Sequence, residues 1–345
     1  MKFDCINHVI LFGGGDTLVR FALNLLGRGY HVEVVTAERR REDPIPMRGK
    51  IVPLEDFLKL QKILFHISKD VNTDKAVIKK ITPQTMGFSI AASWIFRKEF
   101  IALFRGYLLN HHGAPLPWFR GGGGMSWRIL QNYRPGFNLI HQVDEGVDTG
   151  PILKMREFVY PDQCRVPQDY FNINIEREEE FLCQFLDDIK NGKDFHLTAQ
   201  AKDSGSYWPR LSTEHQGYIN WNWSLEEIES FICAFDDPYA GASTLINNKR
   251  VYLKKCCVDG SDGPFHPFQN GLVYCKRGDA LAVALREGSL IVGEVKDAQG
   301  RSMMTEIRLG DRFHTPVQYL ESAMQFRAFY AADGLKKQKE KAIAS

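Results

Sequence analysis

The sequence predicts an α/β fold: a Rossmann-like, doubly wound N-terminal domain followed by a small OB-like β-barrel. Three observations predict it. The chain opens on an apolar run, His8-Val9-Ile10-Leu11-Phe12, which leads through Gly13-Gly14-Gly15 into a helical stripe of Leu18, Phe21, Ala22, Leu25 and Leu26. Buried parallel strands read as unbroken apolar runs, and strand–helix–strand is the repeating unit of such sheets. Further apolar runs follow at 31–35, 86–92, 107–110 and 137–143, and past the polar segment 203–206 the texture changes to short strands at close spacing. The 345 residues suit two domains, 1–203 and 204–315, with a terminal helix and tail in 316–345.

In the first domain, Asp16 is placed to cap the first helix, and Gly27 and Gly29 to end it. The glycine turn invites a dinucleotide reading. It lacks the third glycine of that fingerprint and the lysine of a phosphate loop, so a tight turn under a helix accounts for it better. Residues 121–124 open a short helix, 148–151 form a turn, and 152–160 run extended. A long helix over 168–190 follows, with Phe181, Phe185 and Ile189 on one stripe. In the second domain a helix at 225–235 precedes strands at 243–246, 251–254, 272–275, 280–285 and 289–295. A last helix spans 316–331, and Lys336, Lys337, Lys339 and Lys341 form a solvated tail.

Composition excludes little but excludes it cleanly. Hydrophobic residues make up 44% and charged residues 25%, ordinary for a globular protein, and the net charge of +2 advertises neither nucleic acid nor membrane. The apolar run 9–12 is too short for a signal peptide or a membrane span. Seven cysteines, an odd number without Cys-x-x-Cys spacing, read as free thiols, which points to a reducing cytoplasm.

The chemistry concentrates in Asn110-His111-His112-Gly113-Ala114-Pro115-Leu116-Pro117 and in Asp148-Thr149-Gly150-Pro151. Asn110 and His112 are two apart, so on a strand they share a face. Asn110 is expected at the carboxyl end of that strand, where open α/β sheets place their sites. Asp148 arrives on a later loop and is positioned to orient the imidazole. A carboxamide, an imidazole and a carboxylate are what moving a one-carbon acyl group onto an amine requires. Asn110 can donate to the oxygen that becomes negative, worth about 3 kcal/mol in comparable sites. His112, with an ordinary imidazole pKa of about 6.5, can donate to that oxygen or take the amine proton. Adjacent histidines on a strand face opposite ways, so His111 and His112 are not a metal pair, and no metal is expected; His111 is read as structural or as a pocket wall.

On these residues the chain resembles the formyltransferase family that uses N10-formyltetrahydrofolate, which includes methionyl-tRNA formyltransferase, nucleotide-sugar N-formyltransferases and glycinamide ribonucleotide transformylase. The matching positions are Asn110, His112, Leu116, Pro117, Trp118, Arg120 and Gly121, then His141, Asp144, Gly146, Asp148, Gly150 and Ile152. The resemblance covers about 6–160 and resumes from Tyr207-Trp208-Pro209-Arg210 to Pro238-Tyr239-Ala240-Gly241-Ala242. It departs from the family at Gly113-Ala114-Pro115, Leu139 and the glycine run 121–124, none of which touches the Asn110, His112, Asp148 set. The resemblance implies that N10-formyltetrahydrofolate binds against Ala91, Ala92, Trp94, Ile95, Ile140, His141 and Asp144. It further implies that Arg120, Gly121, Tyr207, Trp208 and Arg210 meet the acceptor. Arg120 alternatively braces its loop, His141 alternatively packs, and Tyr207 and Trp208 alternatively cover a domain seam.

The acceptor follows from charge. Residues 205–315 hold 12 Lys plus Arg against 14 Asp plus Glu, a net −2, whereas a tRNA partner needs a basic surface. A small amine is expected instead, foremost a nucleotide-linked amino sugar. Methionyl-tRNA, hydroxyornithine, a formyltetrahydrofolate hydrolase and a catalytically silent binding module are the alternatives. The β-rich second domain and the terminal helix offer a seam for a homodimer.

Overall fold

A computed structural model describes residues 1–122, 124–201, 204–331, 334 and 335. Its first sheet has seven strands in the order Leu64–Ile67, His31–Thr36, His8–Gly13, Thr85–Ile90, Leu108–His112, Pro135–Gln142, Ile152–Val159. The first five run parallel, Pro135–Gln142 runs against them, and Ile152–Val159 pairs antiparallel with Pro135–Gln142. The central strands are buried on both faces, and their side chains alternate between two cores. Val9, Leu11, Met86 and Phe88 join the helices Asp16–Gly27 and Pro167–Lys190 on one side. Ile10, Phe12 and Leu108 meet Phe96, Phe100 and Phe104 on the other. Each such side chain contributes ~1.5–3 kcal/mol of burial, so the strand pattern and the two-sided covering by helices enforce each other.

Strand order reverses beside His8–Gly13: the next two strands of this sheet, His31–Thr36 and Leu64–Ile67, lie to one side and Thr85–Ile90 to the other. Such a switch point leaves a crevice at the strand ends. Gly13 is required there, because a Cβ on it would stand 1.8 Å from the carbonyl oxygen of Ile90. The turn is therefore a packing device between two strand ends.

The second sheet is antiparallel, in the order Val273–Arg277, Ala280–Leu285, Gly288–Lys296, Lys249–Asp259, Ala242–Ile246, Phe313–His314. It closes on itself where Leu272 pairs with Arg312 and the Val273 N–H reaches the Asp311 carbonyl at 2.8 Å. Its core is continuous with the first domain: Met125, Ile129 and Tyr170 pack with Ile228, Phe231 and Ile232. The Ser126 hydroxyl also donates to the Ala234 carbonyl at 2.7 Å. The helix Gly124–Leu130 is thus the seat of the barrel, and the crevice beside it is rigidly framed.

Several local expectations are corrected. Asp16 does not cap its helix; Gly15 occupies the cap, and the Asp16 carboxylate instead holds Arg20 at 2.8 Å. The strand carrying Asn110 runs on to His112, because Pro135–Gln142 continues to pair with it after the parallel ladder stops at Asn110. The last helix is Val317–Gln325, shorter than expected; Phe326 is extended (φ −68°, ψ 131°), and Ala328 and Phe329 reach the first cavity described below. The lysine tail lies outside the described residues. All seven cysteines are free, and no helix among the described residues is long and apolar enough to cross a membrane.

Candidate active site

The site is built across the antiparallel pair Leu108–His112 and Pro135–Gln142, in which Asn110 stands opposite His141 and His112 opposite Leu139. Asn110, His112 and His141 therefore face the same side, and His111 faces the other. His111 is buried with its ring 6.3 Å from that of Phe181. Burial, helped by the nearby imidazole of His112, pulls its pKa down to about 4, so it is a neutral packing residue.

The turn after Gln142 brings Asp148 back over this face. Asp148 adopts φ +53°, a left-handed conformation that aspartate tolerates better than most residues. Gly150 must be glycine, since a Cβ there would lie 1.9 Å from the Gln142 carbonyl oxygen. Asp144 braces the loop by accepting the Thr149 hydroxyl at 2.6 Å and the Gly146 N–H at 3.1 Å.

Asp148 Oδ2 accepts the Gly121 N–H at 2.8 Å and lies 3.7 Å from His112 Nδ1, while Oδ1 lies 3.5 Å from both Asn110 Nδ2 and His141 Nε2. Burial works against the carboxylate. The charge that His112 and His141 carry when their rings are protonated, with the Gly121 N–H, outweighs that and holds its pKa at about 2. It is an anion at any working pH.

Hydrogen-bond partners assign the imidazoles. His112 Nε2 is 2.7 Å from the Phe119 carbonyl, so that nitrogen carries the proton and Nδ1 faces Asp148 with its lone pair. His141 Nδ1 is 2.7 Å from the Gln142 carbonyl, so its Nε2 accepts from the Asn110 amide at 3.1 Å. The remaining N–H of Asn110 has only the long contact to Asp148.

Two cavities open on either side of this cluster. The first, about 770 Å³, is lined by Ala91, Ala92, Trp94, Ile95, Asn110, His141, Asp144, Asp148, Tyr207 and Phe329, among others. The second, about 730 Å³, lies over the glycine turn and the helix Pro167–Lys190; Arg40, Arg120, Arg128, Phe119 and Trp208 line it. His111, His112, Ala91, Gly121, Gly122 and Arg210 border both.

Not every expected contact residue is placed as expected. Ile140 is fully buried in the core, and both edges of its backbone are in sheet register, with His111 on one side and Lys154 on the other. It lines neither cavity. Tyr207 lies on the first cavity, against Gly121, where a Cβ would stand 2.6 Å from its ring; Trp208 lies on the second. The Trp208 indole N–H is engaged by Ser206 Oγ at 3.1 Å and the Trp118 carbonyl at 3.2 Å, and its ring packs 5.0 Å from Trp127. Arg120 gives Nη2 to Gln200 Oε1 at 3.0 Å, and Gln200 in turn donates to the carbonyls of Asp148 at 3.0 Å and Gly150 at 2.7 Å. Arg120 thus braces the Asp148 loop.

Sequence reasoning missed Gln200, and it missed Arg40 and Asn72. The Arg40 guanidinium reaches the Ala91 carbonyl at 2.8 Å, and Asn72 fastens the 91–97 loop through the Ile95 carbonyl at 3.1 Å and the Arg97 N–H at 2.7 Å. Lone polar residues in loops carry no pattern that would single them out. Among the described residues no cluster of His, Cys, Asp and Glu is arranged to hold a metal ion.

Residues 8–162 match the formyl transferase family, and residues 211–308 match the formyl transferase C-terminal domain. The chain belongs to the formyltransferase family. The methionyl-tRNA formyltransferase of Desulfotalea psychrophila is 28% identical over 201 residues, 57% of this chain and 58% of that protein, so the matched stretch spans little more than half of that relative. Among solved structures, WlaRD, a sugar 3N-formyl transferase in the presence of dTDP and 5-N-formyl-THF, superposes with a TM-score of 0.61. It is 19% identical, with 84% of this chain and 97% of that one covered. The N-formyltransferase from Helicobacter canadensis, in complex with folinic acid and dTDP-3-aminofucose, has a TM-score of 0.60 at 18% identity, covering 83% of this chain and 98% of that one. As a formyltransferase, this protein combines both of the family's domains in the order the sequence predicts.

Proposed function

We propose that this formyltransferase moves a formyl group from N10-formyltetrahydrofolate to the primary amine of a small acceptor, foremost a nucleotide-linked amino sugar. The observation that carries the reading is the pair of cavities meeting at His112: a donor on one side and an acceptor on the other would bring carbon and nitrogen together over Asn110, His112 and Asp148. The donor supplies an activated formyl carbon bound to nitrogen.

The first cavity suits that donor. Trp94, Ile95 and Val147 offer apolar surface for a flat ring, and its volume falls in the ordinary range for a small-molecule site. Asn110 presents the N–H that now has only the 3.5 Å contact to Asp148 to the formyl oxygen as charge develops there; contacts that are long in an empty site tighten on the reacting group. His112 Nδ1 takes the proton that the attacking amine sheds and returns it to the departing folate nitrogen. Asp148 stabilises the imidazolium in between. One N–C bond forms, one breaks, and the proton count is unchanged.

The second cavity suits a phosphorylated acceptor in charge. Arg40, Arg120, Arg128 and Arg210 border it against Asp16, Asp43 and Glu178, with Phe119 and Trp208 as aromatic surface. The matched tRNA-formylating relative favours a second reading, methionyl-tRNA, against which stands the net charge of −2 over residues 205–315. The experiment is incubation with N10-formyltetrahydrofolate and a panel of nucleotide amino sugars, read as the mass gain of one formyl group. Formylation of initiator methionyl-tRNA alone would overturn the small-acceptor reading.

A further inference from the structure

Formyl transfer as set out above gives no role to Glu178, which lines the second cavity. Glu178 sits on the helix Pro167–Lys190, four residues after Asn174, and Gln168, Phe171, Asn174 and Glu178 form a stripe along that cavity. Glu178 Oε1 comes within 3.7 Å of where a Cβ on Gly113 would stand, and Asn174 Nδ2 is 4.0 Å from the same point. The carboxyl therefore ends beside the residue that follows His112. The absence of a side chain at Gly113 leaves that point open.

The surroundings of Glu178 are short of positive charge. Thr17 donates its hydroxyl to Oε2 at 2.5 Å. Asp16, beside it on the helix Asp16–Gly27, is a second carboxylate, tied to Arg20 at 2.8 Å. Tyr160 faces it with a hydroxyl already given to Asn174. Arg128, from the helix Gly124–Leu130, donates to the Pro135 carbonyl and lies 5.3 Å over the Tyr160 ring. His111 and His112 complete the wall from the strand. Glu178 is half-buried, with its accessible face opening into the cavity and protein around the rest. Burial pushes its pKa up to about 7; the Thr17 hydroxyl opposes the rise and Asp16 adds to it. A carboxyl held in this way, with a hydroxyl and another carboxylate as neighbours, is complementary to a primary ammonium.

We propose that Glu178 receives the amine end of the acceptor, binding its ammonium and accepting one proton so that the neutral amine stands beside His112. The step balances as R–NH3+ plus Glu178 carboxylate giving R–NH2 plus Glu178 carboxylic acid. The proposal rests on the second cavity being the acceptor side.

The test uses the full chain labelled with 13C at its glutamate carboxyls, the Glu178 resonance being assigned by its loss in Glu178→Gln. Excess glucosamine, an amine without a nucleotide, is expected to lower the titration midpoint of that resonance by about one pH unit, while glucose leaves it in place. A midpoint that glucosamine does not move, or that glucose moves equally, overturns the proposal. In kinetics, Glu178→Gln is expected to lower kcat/KM for the acceptor by about 100-fold, with the affinity for the folate donor unchanged. A kcat/KM within twofold of wild type, or an equal loss of donor affinity, overturns it. If glucosamine moves the midpoint but no nucleotide amino sugar is ever formylated, the acceptor reading fails while the amine site stands.

Discussion

Asn110 and His141 face each other across two antiparallel strands, Nδ2 to Nε2 at 3.1 Å, and the contact fixes both side chains. With the His141 proton committed to the Gln142 carbonyl, the imidazole can only accept, so the Asn110 amide points its nitrogen inward at the cluster. The carboxamide is aimed before any ligand arrives, which is the condition under which a donor is worth most to a transition state.

Replacing Asn110 by alanine is therefore expected to lower kcat by roughly 100- to 1,000-fold while the donor affinity changes less than threefold. Stopped-flow turnover and donor titration separate the two. Equal losses in both would make the asparagine a structural element.

Asp148 links the site to acid stability. Its pKa is depressed from 3.8 to about 2 in the folded protein, so its contribution is present above the unfolded value and is lost as pH falls from about 4 through 2. That contribution is roughly 2 kcal/mol. Denaturant melts should show Asp148→Asn less stable than wild type at pH 7, with the gap closing as pH drops through that window. A gap independent of pH would contradict the assignment.

Gly121 at φ +90° offers its N–H to Asp148 and its bare Cα to Tyr207 and the Trp208 carbonyl, which a Cβ would approach to 2.6 and 2.8 Å. Gly121→Ala is expected to cost about 1–3 kcal/mol and to reduce turnover by moving Asp148. Thermal melts and kcat report the two effects, and an unchanged melt would mean that the turn relaxes freely.

Gln200 fastens the Asp148 loop through two backbone carbonyls. Gln200→Leu is expected to lower kcat about 10- to 100-fold, because small misplacements of a reacting constellation cost that much. The KM for the acceptor should stay put. A change confined to KM would place Gln200 in binding.

The parts legible in the sequence were those written as periodic patterns. The strand containing Asn110 and His112 declared which residues share a face, and register then put His141 opposite Asn110. Asp148 was legible because aspartate and glycine at fixed spacing mark a tight loop. Glu178 lies inside the charged run Glu176-Arg177-Glu178-Glu179-Glu180, whose pattern does not show which of these side chains faces a cavity. Gln200 and Arg40 act through single long-range bonds that leave no local trace. Ile140 was misplaced because its neighbours line the site, whereas strand alternation turns its own side chain into the core. The last helix was drawn too long for want of a stop signal: Phe326 leaves helical geometry with no glycine or proline at hand.

The central claim concerns where the one-carbon unit goes. Supplying N10-[13C]formyltetrahydrofolate with a nucleotide amino sugar, and counting label in product by mass spectrometry and NMR, tests it most directly. The account predicts one labelled formamide carbon for each donor consumed, falling about 100-fold or more in rate in Asn110→Ala. Label recovered wholly as free formate, whatever amine is present, would contradict it.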